Sequence, residues 1–596
     1  MSKRQTKNSP PLVGNSSPTS QSSQSPEISK KKLKKIEQKA NRPKILVERP
    51  LSNLKFGGLV VFFICLVIFY IYLRINPLYD SGNNSNNLNN NNDNNNTNIN
   101  IIDDIKSMKK IENGLKDIAK YKEWNEECKN KTIAVGYNTN LDLVVDAIEL
   151  MDKLKLKSSI HNRPMSKEVI KSLDDFEQTF SHYFKSGSAA ERMIENEDTF
   201  SAILAAALQS ESKQFYTGGN AGIMANRLVA DGCRVYLGGI IGKKLKELLS
   251  PSVSIIGYQS ENGEEFDEIH LIMEYNKQSR WGSISPPRSN RFIISRDNTN
   301  SHLMTMESFH QEIEKKQPDL LLLSGLHLLT EEAQERRVND MVNLLKQIPY
   351  NNNPSNFLNH PSLNVPIHLE LASIASPSYI NLLAKKIIPF VDSVGLNEQE
   401  LGFIYVSTGG KKFSLDDFKE PSVNVVVNAL LHIMEISFHY ATTTTTSTTA
   451  DRNVDDNILG DFGIPTMSKQ RLLTRIHFHY LSFHLIITKS YSQWSPKLTS
   501  ASVAASSIEA TFQACRFNSV ELLLPLSVEV DYRYTPGATK SIIIDPSSPV
   551  TTWQDSGYEF HLAPVLVCKS PLKTVGLGDS ISTMGFLYQT IKSNEN

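Results

Sequence analysis

The sequence predicts an α/β fold, a largely parallel sheet flanked by helices on both faces. Three observations predict it. Short apolar runs of strand length recur between residues 132 and 569, and most read as continuous apolar stretches, as strands covered on both faces do. Helical segments, such as residues 329–348, lie between some of them, giving the β-then-α rhythm of a parallel sheet. The polar residues with chemical potential follow the ends of the runs, where open α/β sheets bind their ligands.

In chain order, residues 1–54 read as a disordered basic tail, rich in Ser, Pro, Lys and Gln. Phe56 to Leu73 is an uncharged run of 18 residues, long enough for a transmembrane helix. It starts late and has no small-residue cleavage site behind it, which argues against a cleaved signal peptide. The cluster KKKLKK at 30–35, with Lys44, Arg49 and Lys55, outweighs Arg74 on the far side. The positive charge keeps the N-terminus cytosolic and sends the bulk of the chain across, so a luminal folded domain in the endoplasmic reticulum is the expected placement. Residues 74–114 read as an Asn-rich tether, and residues 115–596 as the folded domain. Sequons at Asn83, Asn95 and Asn130 add little, because they arise readily in Asn-rich sequence.

The expected strands are 132–138, 235–240, 320–327, 365–372, 391–397, 475–488 and 563–569. NNNPSN at 351–356 and ATTTTTSTTA at 441–450 read as surface-loop insertions. The net charge of +0 argues against a nucleic-acid binder. Cys65, Cys128, Cys233, Cys515 and Cys568 hold no CxxC pair, hence no zinc framework; whether any of them pair is open. No obligate protein partner is implied.

The sharpest local feature is TVGLGDSIS at 574–582. Gly576 and Gly578 permit a tight turn, Leu577 lies between them, and Asp579 stands where a helix can begin. Free amides at a helix start attract anions, and a carboxylate there suits a general base for an attacking hydroxyl. The plain alternative is an ordinary Asp helix cap. HLELAS puts His368 and Glu370 on one side of a strand, and GLNEQEL sets Asn397 and Glu400 three apart, as on one helical face. Acids at strand ends can hold Mg²⁺ through few direct ligands and several waters. Either acid can equally be a cap or a surface group. His477, His479 and His484 lie in one apolar run without a CxxC or HExxH partner, and read as core histidines rather than a zinc site.

HLELAS, GLNEQEL and PVLVCKSPLKTVGLGDSIS resemble the HxE, NxxE and GxGD motifs of the ADP-dependent sugar kinases, more narrowly their animal glucokinase branch. GYNTNLDLVV (136–145), YTGGNAGIMANRL (216–228), SNRFIISRD (289–297), PDLLLLSGLH (318–327) and TRIHFHYLSFH (474–484) resemble it in the same order. The resemblance implies a ribokinase-like large domain with a smaller lid, and transfer of the terminal phosphoryl of ADP to the 6-hydroxyl of glucose, leaving AMP. It implies that Asp579 is the catalytic base and that Glu370, Glu400 and Asp579 organise Mg²⁺. Gly576, Leu577 and Gly578 would form the anion hole, with Asn397 and Arg291 beside the nucleotide phosphates. Asn140, Asp142, Gly219, Asn220 and, more weakly, Glu191 would face the sugar. The rivals are an ATP- or fructose-6-phosphate-using kinase on the same fold, and a catalytically inactive sugar-binding membrane protein.

Overall fold

The computed structural model describes residues 93–120, 131–158, 166–257, 266–348, 365–372, 374, 376–446, 471–490, 492–531, 537–571 and 576–590. The tail at 1–54, the apolar run at 56–73, Cys65, Cys128 and the insertion at 351–356 lie outside the described residues. Among the described residues, no helix is long and apolar enough to cross a membrane.

The strands of the first half are β1 (Thr132–Gly136), β2 (Asn140–Asp146), β3 (Val169–Ile170), β4 (Ala190–Ile194), β5 (Gln214–Gly218), β6 (Arg234–Gly238), β7 (Val253–Ile256), β8 (Ile269–Tyr275), β9 (Asn290–Ser295) and β10 (Leu320–Leu323). Those of the second half are β11 (Ile367–Glu370), β12 (Ser393–Leu396), β13 (Arg475–His479), β14 (Phe483–Lys489), β15 (Val520–Leu522), β16 (Ser527–Asp531), β17 (Thr539–Ile543), β18 (Thr551–Asp555), β19 (Tyr558–Pro564) and β20 (Leu566–Cys568).

Ten strands form the large sheet, in the order β18-β19-β14-β13-β12-β11-β10-β1-β6-β7. From β13 to β7 every pairing is parallel. β14, β19 and β18 continue the sheet antiparallel. The period-2 geometry of a strand explains why the parallel part needs cover on both sides. On β1, Ala134 packs into one core while Ile133 and Val135 pack into the other. On β10, Leu321 and Leu323 face the first core, and Leu320 and Leu322 face the second. The helices Glu331–Gln347 and Val423–Thr446 cover one face; Asn220–Ala230, Pro496–Cys515 and Leu577–Thr590 cover the other.

The chain leaves this sheet twice, after β1 and after β7, to build a second, six-stranded sheet in the order β3-β4-β9-β8-β2-β5. One face of it is packed: Leu143 and Val145, Leu271 and Met273, Phe292 and Ile294 join Phe176, Phe180 and Phe184 in a separate core. The alternate residues, Asp142, Val144, Ile272, Glu274 and Arg291, are left to line a cleft.

Four expectations change. The stretch 563–569 is split between β19 and β20, which belong to different sheets. The stretch 475–488 is a hairpin, β13 and β14, because Leu481, 60% exposed, sits at a reversal closed by Tyr480 N donating to Phe483 O. The Thr-rich insertion begins as helix, since Val423–Thr446 runs on through buried Ala441. The tether is shorter than 74–114: a helix spans Asp93–Ala119, and Ile111, Leu115 and Ala119 are buried against the large sheet's second core.

Cys515 and Cys568 form a disulfide, tying the end of the Pro496–Cys515 helix to β20. Cys233 is buried and free. The bridge closes 53 residues of sequence separation, and the chain-entropy account gives about 4 kcal/mol for a loop of that size. Cys515→Ser should therefore lower the unfolding free energy by about 2–4 kcal/mol in denaturant titrations. An unchanged midpoint in the absence of reductant would remove the bridge from the stability of the fold.

Candidate active site

Three neighbouring strands carry the acids and their partners. β11 ends on Glu370, β12 leads to Asn397, and β13 ends on His479. All three run parallel, so their C-terminal ends open at the same edge. The helix Leu577–Thr590 brings Asp579 in its first turn. Gly576, at φ +69°, makes the entry turn; a Cβ there would meet Ile223 at 2.7 Å. Gly578 lies against the ring of His479, whose Cε1 would be 3.2 Å from an added Cβ. Leu577 opens the helix between them.

Asp579 is buried, and Asn220 Nδ2 donates to its Oδ1 at 2.5 Å. Burial, reinforced by the negative charge of Glu370, pushes the Asp579 carboxyl up to about 7. Glu370 behaves differently. Burial alone would raise it, but His368 and His479 outweigh that and hold it below the usual carboxylate range. His479 Nε2 donates to Glu370 Oε1 at 3.3 Å, and the carboxylate in turn raises His479 despite its burial. The two form an ion pair. His368 Nε2 stands 3.5 Å from Oε2, near enough to favour its charge but without hydrogen-bond geometry, so Oε2 has no donor.

Glu400 closes a capping box. Its Oε2 accepts from Asn397 N at 2.9 Å and its Oε1 from Asn397 Nδ2 at 3.0 Å, while Asn397 Oδ1 accepts from Glu400 N. The capping reading of this acid is therefore realised. Burial first, then the nearby Glu370 charge, still pushes Glu400 up to about 8.

The sugar-side candidates gather on the second sheet and at the Asn220–Ala230 helix. Asn140 Nδ2 donates to Asp142 Oδ1 at 2.6 Å, and both side chains sit over Gly218. Gly219 is the helix N-cap, and Asn220 the first helical residue. Asp142 pairs in register with His270 of β8. His270 lies 3.4 Å from Asp297 and 3.6 Å from Glu191. Burial would lower His270, but Asp297, Glu191 and Asp142 together push it up to about 9. Glu191 is on strand β4 rather than a helix, with its side chain 42% exposed.

Arg291, on β9, lines a cleft of about 780 Å³ with Asp142, Ile223 and Pro571. The acids of the large sheet are not among the residues lining that cleft. Asn220 is the bridge between the two groups, since it reaches Asp579 from the turn beside Asp142.

Sequence reasoning missed His270, Asp297 and the pairing of His479 with Glu370. Nothing near HLIMEY separates His270 from a core histidine until Asp297 arrives beside it from 27 residues on. His479 departs from the core reading of its run, while His477 and His484 are core histidines, pushed by burial well below the ordinary imidazole range.

The residues fit a hard cation. Glu370 Oε2 and Ser582 Oγ are buried oxygens without partners, and they face the same space at Gly395. Among the described residues no three His, Cys, Asp or Glu side chains converge to hold an ion directly. That donor set suits Mg²⁺ bound through one or two carboxylates with several waters.

Gly395 is required by close approach. A Cβ there would lie 1.9 Å from Glu370 Oε2, 2.5 Å from Ser582 Oγ and 2.9 Å from His368 Nε2. All three side chains are buried. Gly395→Ala should cost about 1–3 kcal/mol of stability through overpacking, read by chemical denaturation. Wild-type stability in this variant would show that the Glu370 carboxylate is free to swing aside.

The family described as ADP-specific phosphofructokinase/glucokinase conserved region matches residues 131–588. The chain is 32% identical over 477 residues to the ADP-dependent glucokinase of Bos taurus, covering 77% of this chain and 85% of that protein. It is 32% identical over 465 residues to the probable ADP-dependent glucokinase of Caenorhabditis elegans, again covering 77% and 85%. A solved structure, the last common ancestor of ADP-dependent phosphofructokinases from Methanosarcinales, has a TM-score of 0.54 at 19% identity, covering 82% of this chain and 99% of that one. That last likeness is one of fold. The motifs read in order along the sequence and the match across most of both relatives agree: the chain belongs to the ADP-specific phosphofructokinase/glucokinase family.

Proposed function

We propose that this chain is an ADP-dependent glucokinase that transfers the terminal phosphoryl of ADP to the 6-hydroxyl of glucose and releases AMP. The observation that carries it is Asp579, a buried carboxyl at the start of a helix, held by the Asn220 amide that also borders the sugar-side turn. A base placed there can take the hydroxyl proton as the oxygen attacks phosphorus. Gly576, Leu577 and Gly578 offer backbone at the same helix start for the phosphoryl oxygens. Arg291 is suited to the nucleotide phosphates, and its guanidinium fork matches their geometry. Asn140, Asp142, Gly219, Asn220 and Glu191, with His270, would grip the sugar hydroxyls.

Two observations favour glucose over fructose 6-phosphate. The relatives with 32% identity carry the glucokinase name. The sugar end also gathers Asp142, Glu191 and Asp297 around one histidine, a set that repels a sugar already bearing a phosphate. The retained trio of Asp579, Glu370 and Glu400 speaks against an inactive sugar-binding protein.

Mg²⁺, held by Glu370, Glu400 and Asp579 in part through water, would neutralise phosphate charge. Glu370 keeps its charge there through His479, and Glu400 keeps lone pairs for water beyond its capping bonds.

The test is turnover of the purified chain with glucose and ADP, with and without Mg²⁺, beside Asp579→Asn. The wild-type rate should need Mg²⁺ and rise as pH passes about 7, because Asp579 below that value holds its proton and cannot accept another. Asp579→Asn should lower turnover by roughly 10²-fold or more. A variant with near-normal turnover would sink the base assignment.

We further propose a single membrane-spanning helix at 56–73 and a luminal catalytic domain, most simply in the endoplasmic reticulum. The uncharged run and the basic residues before it support this. So does the Cys515–Cys568 disulfide, a bond that persists in oxidising compartments. On sealed microsomes the catalytic domain should resist protease until detergent is added. Digestion without detergent would reverse the orientation and leave the kinase reading standing.

A further inference from the structure

We infer that Asn138 is a positioning residue for the base: its side-chain amide fixes which way Asn220 points, and so makes Asn220 donate to Asp579. The inference rests on Asp579 being the base.

Asn138 lies two residues past β1 and is 1% exposed. Its own orientation is fixed at the acceptor end. Ser324 Oγ lies 3.3 Å from Asn138 Oδ1 and 3.3 Å from the Gly136 carbonyl, and Ala221 N, which donates to the Asn138 main-chain oxygen at 3.2 Å, points at Oδ1 from 3.5 Å. A backbone N–H donates only, so of the two amide atoms the oxygen suits the side facing Ala221. The Asn138 nitrogen is thereby turned the other way, and Nδ2 donates to Asn220 Oδ1 at 3.2 Å. With its oxygen taken, Asn220 has only its nitrogen left to present to Asp579, and Nδ2 donates to Oδ1 at 2.5 Å. An ionised carboxylate accepts only, so this end of the chain demands the same polarity. Both amide donors therefore point toward Asp579.

The cage around Asn138 is built to one side-chain shape. Gly325, at φ +92°, would bring a Cβ to 2.8 Å from Asn138 Cβ and 2.9 Å from its Oδ1. Gly219, at φ +75°, would bring one to 2.7 Å from the Asn138 carbonyl oxygen. Both positions adopt a backbone that glycine reaches without strain, and both lie in the segments that carry Ser324 and Asn220. Asn138 is thus held between two strand-end turns, and it sets the donor direction of the residue that touches the base.

The test uses the full chain and a small set of variants assayed with saturating glucose and ADP. Asn138→Asp keeps the shape that the cage accepts but offers only acceptors, so Asn220 must turn its nitrogen to residue 138 and its oxygen to Asp579. Asn138→Ala removes the control without adding charge, and serves also if the aspartate variant fails to fold. The expected result is a fall in kcat of about tenfold or more for Asn138→Asp and less for Asn138→Ala, with the ADP KM unchanged in both. In a background of Asn220→Ala, adding Asn138→Ala should cost almost nothing further, because Asn138 acts through Asn220. A general loosening of the fold would instead multiply the two losses. Wild-type kcat in Asn138→Asp, or losses that multiply in the double variant, would overturn the inference. Near-normal turnover in Asp579→Asn would overturn it by a separate route, by removing the base that it serves.

Discussion

Asp579 is a carboxyl group buried beside another carboxylate, with one short bond from Asn220 to hold it. Taking an acid out of water costs free energy unless donors replace the water, and a second negative charge makes the cost larger. The surroundings follow from that constraint. Glu370 is itself kept charged by His479, so the field at Asp579 is set from β11 and β13. Those strands can converge only because the sheet is parallel there, with β12 between them delivering Asn397 and Glu400 at the same edge. Gly395, in β12, has no side chain because the Glu370 carboxylate occupies that space. The helix that carries Asp579 packs on Pro496–Cys515, whose far end is tied by the disulfide to β20. The disulfide therefore fixes Cys568, eleven residues before Asp579.

The second sheet solves a different problem. A sheet packed on one face presents the other to solvent or ligand, and its alternation decides which residues appear there. β2, β8 and β9 send Leu143, Met273 and Phe292 inward, and by the same geometry send Asp142, His270 and Arg291 outward. The sugar-side and phosphate-side candidates are thus placed by strand parity. A one-residue slip in any of these strands would bury the functional face and expose the phenylalanine core.

Much of this was legible in the sequence because it depends on local pattern. Continuous apolar runs gave most of the parallel strands, and the glycines and acids that follow them gave Asp579, Glu370 and Asn397 with Glu400. What escaped depends on pairing across long separations. His270 acquires its partners only when β8 folds beside β2 and Asp297 returns from beyond β9. His479 looks like any apolar-strand histidine until β11 places Glu370 next to it. The hairpin at 480–482 was hidden for the opposite reason. Both of its strands are so thoroughly buried that no polar turn composition interrupts the run, apart from Ser482, and the exposed turn residue, Leu481, is itself apolar. The helix Asp93–Ala119 was hidden because its opening turns are rich in the same asparagines as the stretch before it.

The protonation of the acids bears on the whole site. Asp579 and Glu400 hold protons up to about 7 and about 8, far above ordinary carboxyls. Glu370 and His479 neutralise each other, and His368 is held neutral by its burial, so neither supplies the missing positive charge. Arg475, the fully buried guanidinium of β13, is turned to Ser393, Ser502, Gln589 and the Gly585 carbonyl rather than to the acids. Carboxyls that bind protons this tightly are short of cation, and a proton is only the smallest one that can answer. A divalent ion held beside Glu370, Glu400 and Asp579 would supply that positive charge.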